Sequence, residues 1–320
     1  MISRILLCSL VLTLWTVNVS AQQKKQVKKQ RNRNPVPDKL EGGRTEIFKT
    51  VGDVKLKMFI FEPKGHKQGD KRPAIVFYFG GGWRNGSPRQ FHKQCRYLAS
   101  RGMVAMTAEY RVANRHQVKA VTCVSDAKSA MRWARKNADR LGIDPNRIAA
   151  GGGSAGGHLA AAVGTLDGFN EKGEDTSISA RPNAMLLFNP AVDLTPEGFN
   201  KKPDSEKSGE RSARFGIDPK KLSPTFHIRK GTPPTIIFHG QADPTVPFAQ
   251  AVKFSKIMEH KGNRCEFDGY KGEVHGFFNW GRGDNKVFAS TMRNADRFLV
   301  SLGYLHGKPT INAFVESITE

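Results

Sequence analysis

Apolar positions along this chain fall in short runs, separated by polar stretches that carry glycine and proline, and the runs alternate between two periods. Ala74–Phe79 reads Ala-Ile-Val-Phe-Tyr-Phe without a polar break, the pattern of a central strand buried on both faces. Met103–Glu109, Ile148–Ala150, Ala184–Phe188, Thr235–Phe238 and Cys265–Gly269 are read as further strands. Thr45–Thr50 and Leu56–Phe61 are strand-like runs joined at Gly52-Asp53, a hairpin signal. Helical spacing fills the gaps between them. Gln90–Ser100 predicts a helix stopped at Gly102. Ala127, Ala130, Met131, Ala134, Ala138 and Leu141 predict another, with Lys128, Arg132, Arg135 and Lys136 at other positions and Gly142 and Pro145 ending it. Pro247–Lys261 and Phe288–Leu302 predict two more; in the second, Phe288, Met292, Ala295, Leu299 and Leu302 share a face. Strands alternating with helices imply an α/β fold: a mostly parallel central sheet with helices on both faces.

Three segments stand outside this alternation. Residues 1–21 carry Arg4, an apolar stretch from Ile5 to Val17 and then Val19-Ser20-Ala21, the layout of a signal peptide; the apolar run is too short for a membrane span. Export, to the periplasm or beyond the cell, is therefore expected, with no membrane span after cleavage. Residues 22–44 begin polar and basic, with prolines, and are read as a disordered linker. Residues 45–302 form the expected folded domain and 303–320 a C-terminal tail. Within the domain, residues 195–231 are rich in charge, proline and glycine and interrupt the sheet as a small polar cap insertion, either a lid or a surface excursion.

The chain has 320 residues and a net charge of +22; without Arg4 and the six cations of residues 22–34 the remainder still carries +15. Such a balance permits association with an anionic surface or polymer. No helix-turn-helix, zinc-finger or aromatic RNA-binding signature accompanies it, so a nucleic-acid role is not expected. Most of the charge is read as a solvated face. Cleavage after residue 21 would leave Cys95, Cys123 and Cys265, an odd number, and no Cys/His cluster suggests a metal. An exported chain could hold one disulfide, and the spacing does not choose the pair.

The candidate chemistry centres on Gly151-Gly152-Gly153-Ser154-Ala155-Gly156-Gly157, which follows an apolar run and opens onto a helical stretch. Gly152-x-Ser154-x-Gly156 fits the sharp strand-to-helix turn that lifts a nucleophilic serine clear of a sheet. Alone it could equally be a flexible glycine loop, and the other parts of an acyl-transfer centre decide between the two. Gly80-Gly81-Gly82 follows a buried strand, where backbone donors for an oxyanion are needed; Gly81, Gly82 and Ala155 are the candidate donors. His275, in the loop after the last strand, is the candidate base, and Asp243, just beyond the preceding strand, the acid that orients it, with Asp193 as runner-up. His158, on the helix behind Ser154, and His239, at a strand end, are read as structural. Trp83 and Phe277 are candidate substrate contacts. The order serine, aspartate, histidine is that of α/β-hydrolases and differs from those of two unrelated serine-protease arrangements.

With these parts in place, residues 45–302 resemble the α/β-hydrolase superfamily, and more closely its hormone-sensitive-lipase-like and bacterial feruloyl/acetyl esterase (BD-FAE-like) groups. The resemblance rests on Gly80-Gly81-Gly82-Trp83, Gly142-Ile143-Asp144-Pro145, the Ser154 turn, the Asp243 loop and His275-Gly276-Phe277. It implies carboxylic-ester hydrolysis with no metal or organic cofactor. One departure is Phe79, where that family's oxyanion loop usually begins with histidine. The insertion lacks the long apolar stretch of a lipase lid, so a short-acyl ester is expected, such as an acetylated or feruloylated polysaccharide or a small molecule. Two rival readings are a prolyl-oligopeptidase-like serine peptidase, whose usual N-terminal propeller has no room here, and a non-catalytic protein binding an anionic polymer on a hydrolase scaffold. Oligomeric state is not legible.

A histidine base must be neutral to accept a proton, so ester turnover should rise through about pH 6–7. A rate measured as flat from about pH 4 to 9 would count against His275.

Overall fold

The computed structural model describes residues 35–200 and 213–319. The expected signal peptide, the basic stretch up to Asn34 and the middle of the insertion, residues 201–212, lie outside the described residues. Val36–Glu320 is one compact unit. Its frame is an eight-stranded sheet: β1 (Arg44–Val51), β2 (Val54–Phe61), β3 (Arg72–Tyr78), β4 (Val104–Ala108), β5 (Ile143–Gly153), β6 (Ala184–Phe188), β7 (Thr235–Gly240) and β8 (Cys265–Tyr270). They lie in the order β1-β2-β4-β3-β5-β6-β7-β8. The hairpin β1–β2 and the β2–β4 pair are antiparallel; every later pairing is parallel.

The unbroken apolar run of β3 reflects cover on both faces. Val76 and Tyr78 face a core shared with α2 (Ala120–Lys136) and α3 (Ala155–Thr165); Ile75 and Phe77 face the other, shared with α1 (His92–Ser100) and α5 (Lys286–Ser301). On the first face, Phe254 and Met258 of α4 (Phe248–His260) complete the packing. Because β3, β5, β6, β7 and β8 run parallel, their carboxyl ends lie along one edge of the sheet. The loops leaving that edge, after Tyr78, Gly153, Phe188, Gly240 and Tyr270, are where a doubly covered sheet binds its ligands.

Several expectations need correction. Helix α2 stops at Lys136: Asn137 caps it, donating both its backbone and its side-chain amide to the Trp133 carbonyl (3.1 and 2.8 Å), and residues 137–142 turn instead of continuing the helix. The stretch set aside as a tail packs on the body: Tyr304, Leu305 and Ile311 are buried, and α6 (Ile311–Ser317) sets Phe314 edge-on against Tyr97. At the other end Leu40 is buried and β1 begins at Arg44, so the last part of 22–44 belongs to the fold. Lys49 and Arg111 converge on buried Asp126 and on Glu171, fastening β1 to α2. Cys95, Cys123 and Cys265 are unpaired, Cys95 and Cys123 deep in the core. No helix among the described residues is long and apolar enough to cross a membrane.

Of the insertion, the described parts are anchored from below. Phe199, Phe215 and Leu222 are buried in the core that also holds Trp83. Charge dominates the composition there, and these isolated apolar positions secure the segment.

Packing of the final helix gives a direct test. Ile311→Ala removes a side chain that is 1% exposed. It should cost about 2–4 kcal/mol in a urea unfolding measurement; a free tail would cost nothing.

Candidate active site

Strand β5 ends at Gly153, α3 begins at Ala155, and Ser154 alone makes the turn, at φ 57° and ψ −119°. That backbone conformation is unfavourable for a residue with a Cβ and persists because the surroundings over-determine it. The Ser154 amide donates to the Phe188 carbonyl (2.9 Å), and its own carbonyl accepts from the His158 and Ala191 amides. The flanking glycines are set by crowding. A Cβ on Gly156 would lie 1.9 Å from the Tyr78 carbonyl oxygen, one on Gly152 2.2 Å from the Gly156 oxygen, and one on Gly153 2.4 Å from the Phe278 ring. A flexible glycine loop would have no such contacts. This turn is rigid.

The structure brings Ser154, His275 and Asp243 together from three loops on the same sheet edge. His275 Nε2 lies 2.9 Å from Ser154 Oγ, and His275 Nδ1 lies 2.7 Å from Asp243 Oδ2. The loops after β7 and β8 are fixed side by side: the Ala242 amide donates to the Glu273 carbonyl, and a Cβ on Gly240 would meet the same oxygen at 2.3 Å. Asp243 also accepts the Thr245 and Val246 amides on Oδ1, at 2.8 and 3.0 Å. Burial opposes its charge, but the hydrogen bonds from His239, His275 and the Val246 amide outweigh burial and hold the carboxyl well below the ordinary carboxylate range. A carboxylate so held can accept a hydrogen bond from Nδ1 of the ring, with Nε2 turned to Ser154 Oγ.

The glycine loop after β3 closes over the serine. A Cβ on Gly80 would be 3.0 Å from the Gly153 carbonyl oxygen and 3.3 Å from the Ser154 Cβ, so a side chain there would push on the serine turn. The Gly80 amide is taken by Gln90 Oε1 (2.6 Å). The amides of Gly81, Gly82 and Ala155 have no hydrogen-bond partner among the described residues. Ala155 is the first residue of α3, where the helix dipole also favours negative charge. Phe79, in place of the family's usual histidine, holds the loop by packing: its ring stacks on Tyr110 with centroids 4.0 Å apart, while the Tyr110 hydroxyl donates to the Phe79 carbonyl (2.6 Å).

Other candidates fall elsewhere. Trp83 is 4% and Phe277 2% exposed, so both are packing residues and not substrate contacts. Trp83 donates its indole N–H to His158 Nδ1 (3.2 Å) and meets Phe215 edge-on; Phe277 packs on Tyr270 and Phe278. His158, fully buried, donates its other ring N–H to the Leu222 carbonyl, and burial pushes its pKa down to about 4. His239 sits on the Val246 carbonyl (3.0 Å), shaping the Asp243 loop. Asp193 is engaged by Thr195 and Lys253 and makes no bond to His275. Sequence reasoning passed over Gln90, Tyr110, Asn189 and Asn279. Asn189 accepts the Gly276 amide (3.0 Å) and Asn279 donates to the Gly276 carbonyl (2.8 Å), steadying the histidine loop. The one signal available was an asparagine directly after each of the apolar runs ending at Phe188 and Phe278.

The fold and this arrangement define an α/β-hydrolase, and its catalytic domain is a serine carboxylic ester hydrolase by class. Residues 58–258 match the BD-FAE family model, and the chain belongs to that family; residues 215–303 also match the dienelactone hydrolase family. The esterase Est2 of the planctomycete Thermogutta terrifontis is similar at 50% identity and TM-score 0.81, over 86% of this chain and 98% of Est2. Est2 has been solved with propionate bound, with butyrate bound and phosphonylated by sarin. Among curated proteins, esterase LipC of Mycobacterium tuberculosis is 30% identical over 64% of this chain and 53% of its own length. Carboxylesterase NlhH of the same organism is 26% identical over 66% and 68%. The chain thus spans about half the length of LipC.

Asp243→Asn preserves the shape of the loop and removes its charge. It should lower kcat by about 10³–10⁴-fold in a steady-state ester assay. It should also flatten the acid side of the stability curve. A carboxylate whose folded pKa is depressed contributes stability above its unfolded value, about pH 4, and loses it as the pH falls toward the folded value.

Proposed function

We propose that the protein hydrolyses short-acyl carboxylic esters through an acyl-enzyme, with Ser154 as nucleophile, His275 as general base and acid, and Asp243 orienting the imidazole. The observation that carries the reading is the unbroken line Asp243 Oδ2, His275, Ser154 Oγ, with spacings of 2.7 and 2.9 Å. His275 Nε2 takes the hydroxyl proton as Ser154 Oγ attacks the ester carbonyl. The developing oxyanion is met by the amides of Gly81, Gly82 and Ala155, each lost donor costing about 3–4 kcal/mol of transition-state stabilisation. Protonated His275 then gives its proton to the departing alcohol. Water, activated by the same nitrogen, attacks the acyl-enzyme and releases the acid and Ser154.

Short acyl groups are supported by Est2, half identical in sequence and solved with propionate and with butyrate. Beside Gly82 lies a cleft of about 510 Å³ whose lining includes Arg84, Lys119 and Arg214 and, among the described residues, no acidic side chain. That cleft supports an ester carried on an acidic polymer, an acetylated or feruloylated polysaccharide being the class that fits. The signal-like layout of residues 1–21 supports export, where such polymers lie.

The test is a substrate series. Chain 22–320 should turn over acetyl and butyryl esters faster than long-acyl esters and peptide amides, and Ser154→Ala should lose at least about 10⁴-fold. Turnover surviving Ser154→Ala would sink the assignment; amides outpacing esters would favour a peptidase.

A further inference from the structure

Two side-chain amides outside the reacting centre connect its halves. Gln90 Oε1 accepts the Gly80 amide (2.6 Å), Gln90 Nε2 donates to Asn279 Oδ1 (2.9 Å), and Asn279 Nδ2 donates to the Gly276 carbonyl (2.8 Å). We propose that Gln90 and Asn279 are positioning residues, a relay that locks the oxyanion loop to the histidine loop so that donors and base are set as one body. The proposal rests on the ester-hydrolase reading of Ser154 and His275.

The direction of every bond in the relay is dictated by its ends. A backbone amide can only donate, so Gln90 must turn its oxygen to Gly80, which leaves its nitrogen for Asn279. Asn279 must then present oxygen to Gln90 and nitrogen to Gly276, whose carbonyl can only accept. Neither amide can flip without breaking two bonds. Both ends touch what matters. Gly80 packs so near the serine that a Cβ there would be 3.3 Å from the Ser154 Cβ and 3.4 Å from Gln90 Oε1. Gly276 is covalently next to His275, holds φ +77°, and would meet Asn279 Nδ2 at 2.9 Å if it carried a Cβ.

Each amide also stands on a rigid base. Gln90 lies in the single helical turn Pro88–Phe91, started by Pro88 and capped by Ser87 Oγ on the Arg89 amide. The next residue, Phe91, stacks on Phe77 and Phe278, with the Phe278 centroid 5.8 Å away. Phe278 precedes Asn279, so both relay residues stand on one buried aromatic stack. The residues of the Gln90–Asn279 bond are 189 apart in sequence. Misplacing reacting groups by about 1 Å costs about 100-fold, so a brace across this gap acts on rate and leaves ground-state binding alone.

The isosteric variants Gln90→Met and Asn279→Leu, and the double variant, test this in the full chain with a nitrophenyl acetate ester. Each single variant should lower kcat about tenfold with KM within about twofold, and the double should be within about twofold of either single, because cutting either link opens the same chain. Gln90→Met, remote from the imidazole, should also move the acid limb of the pH–rate profile the same way as Asn279→Leu. Asn279→Asp, which keeps the acceptor for Gln90 and loses the donor to Gly276, should match the Asn279→Leu loss should that variant not fold. Wild-type kcat in any single variant, or a multiplied loss of about 100-fold in the double, would overturn the relay. Ser154→Ala is run alongside: an inactive Ser154→Ala with unaffected single variants overturns the relay alone, whereas an active one removes the ester-hydrolase reading and the relay with it.

Discussion

Everything in the active centre depends on the distance between the start of α3 and the end of β3. A methyl group at Gly156 would lie 1.9 Å from the Tyr78 carbonyl. That proximity forces the helix to begin directly at the sheet edge, and the chain can reach it from β5 only by passing Ser154 through a left-handed conformation. The serine oxygen is therefore raised by packing of backbone on backbone, and no side-chain contact need hold it there. The same closeness puts the glycine loop after β3 over the serine, since β3 and β5 are hydrogen-bonded neighbours. The placing of Ser154 and of the glycine loop follows from a single constraint. Asp243 and His275 come from the loops after β7 and β8, which are held by each other.

The parts legible in the sequence are those with a local cause. Strands buried on both faces leave uninterrupted apolar runs, so β3, β4, β6 and β7 could be read directly, while β1 and β2 showed through their hairpin turn. Glycines at close approaches leave a motif, so the turn at Ser154 and the loop at 80–82 stood out. Parts whose cause lies elsewhere in the chain did not. The end of α2 falls at Asn137 with apolar spacing continuing to Leu141, and α6 is too short for its period to show, though Ile311 seats it. Trp83 and Phe277 were misread because an aromatic beside a motif looks the same whether it faces substrate or props up a loop. Gln90 and Asn279 carry no pattern at all: each is a single polar residue whose meaning is its partner.

The insertion between β6 and β7 shows how packing can override composition. Phe215 and Leu222 reach Trp83 and His158, and His158 is kept neutral by burial between the indole and a carbonyl. The described insertion is thus fastened to the glycine loop after β3 by uncharged contacts that salt does not weaken. The cations of the adjoining cleft stand above an apolar footing.

The three consecutive glycines ending β5 leave the middle of the sheet edge without side chains of its own. Phe77 lies over the missing Cβ of Gly151 and Phe278 over that of Gly153, so neighbouring strands and loops fill the space. A larger residue is closed off at all three positions, since it would meet a supporting ring at Gly151 and Gly153 and the backbone of Gly156 at Gly152. Substitutions in this chain that spare the centre are therefore those at the rim, in segments such as the insertion, where the backbone is not so closely crowded.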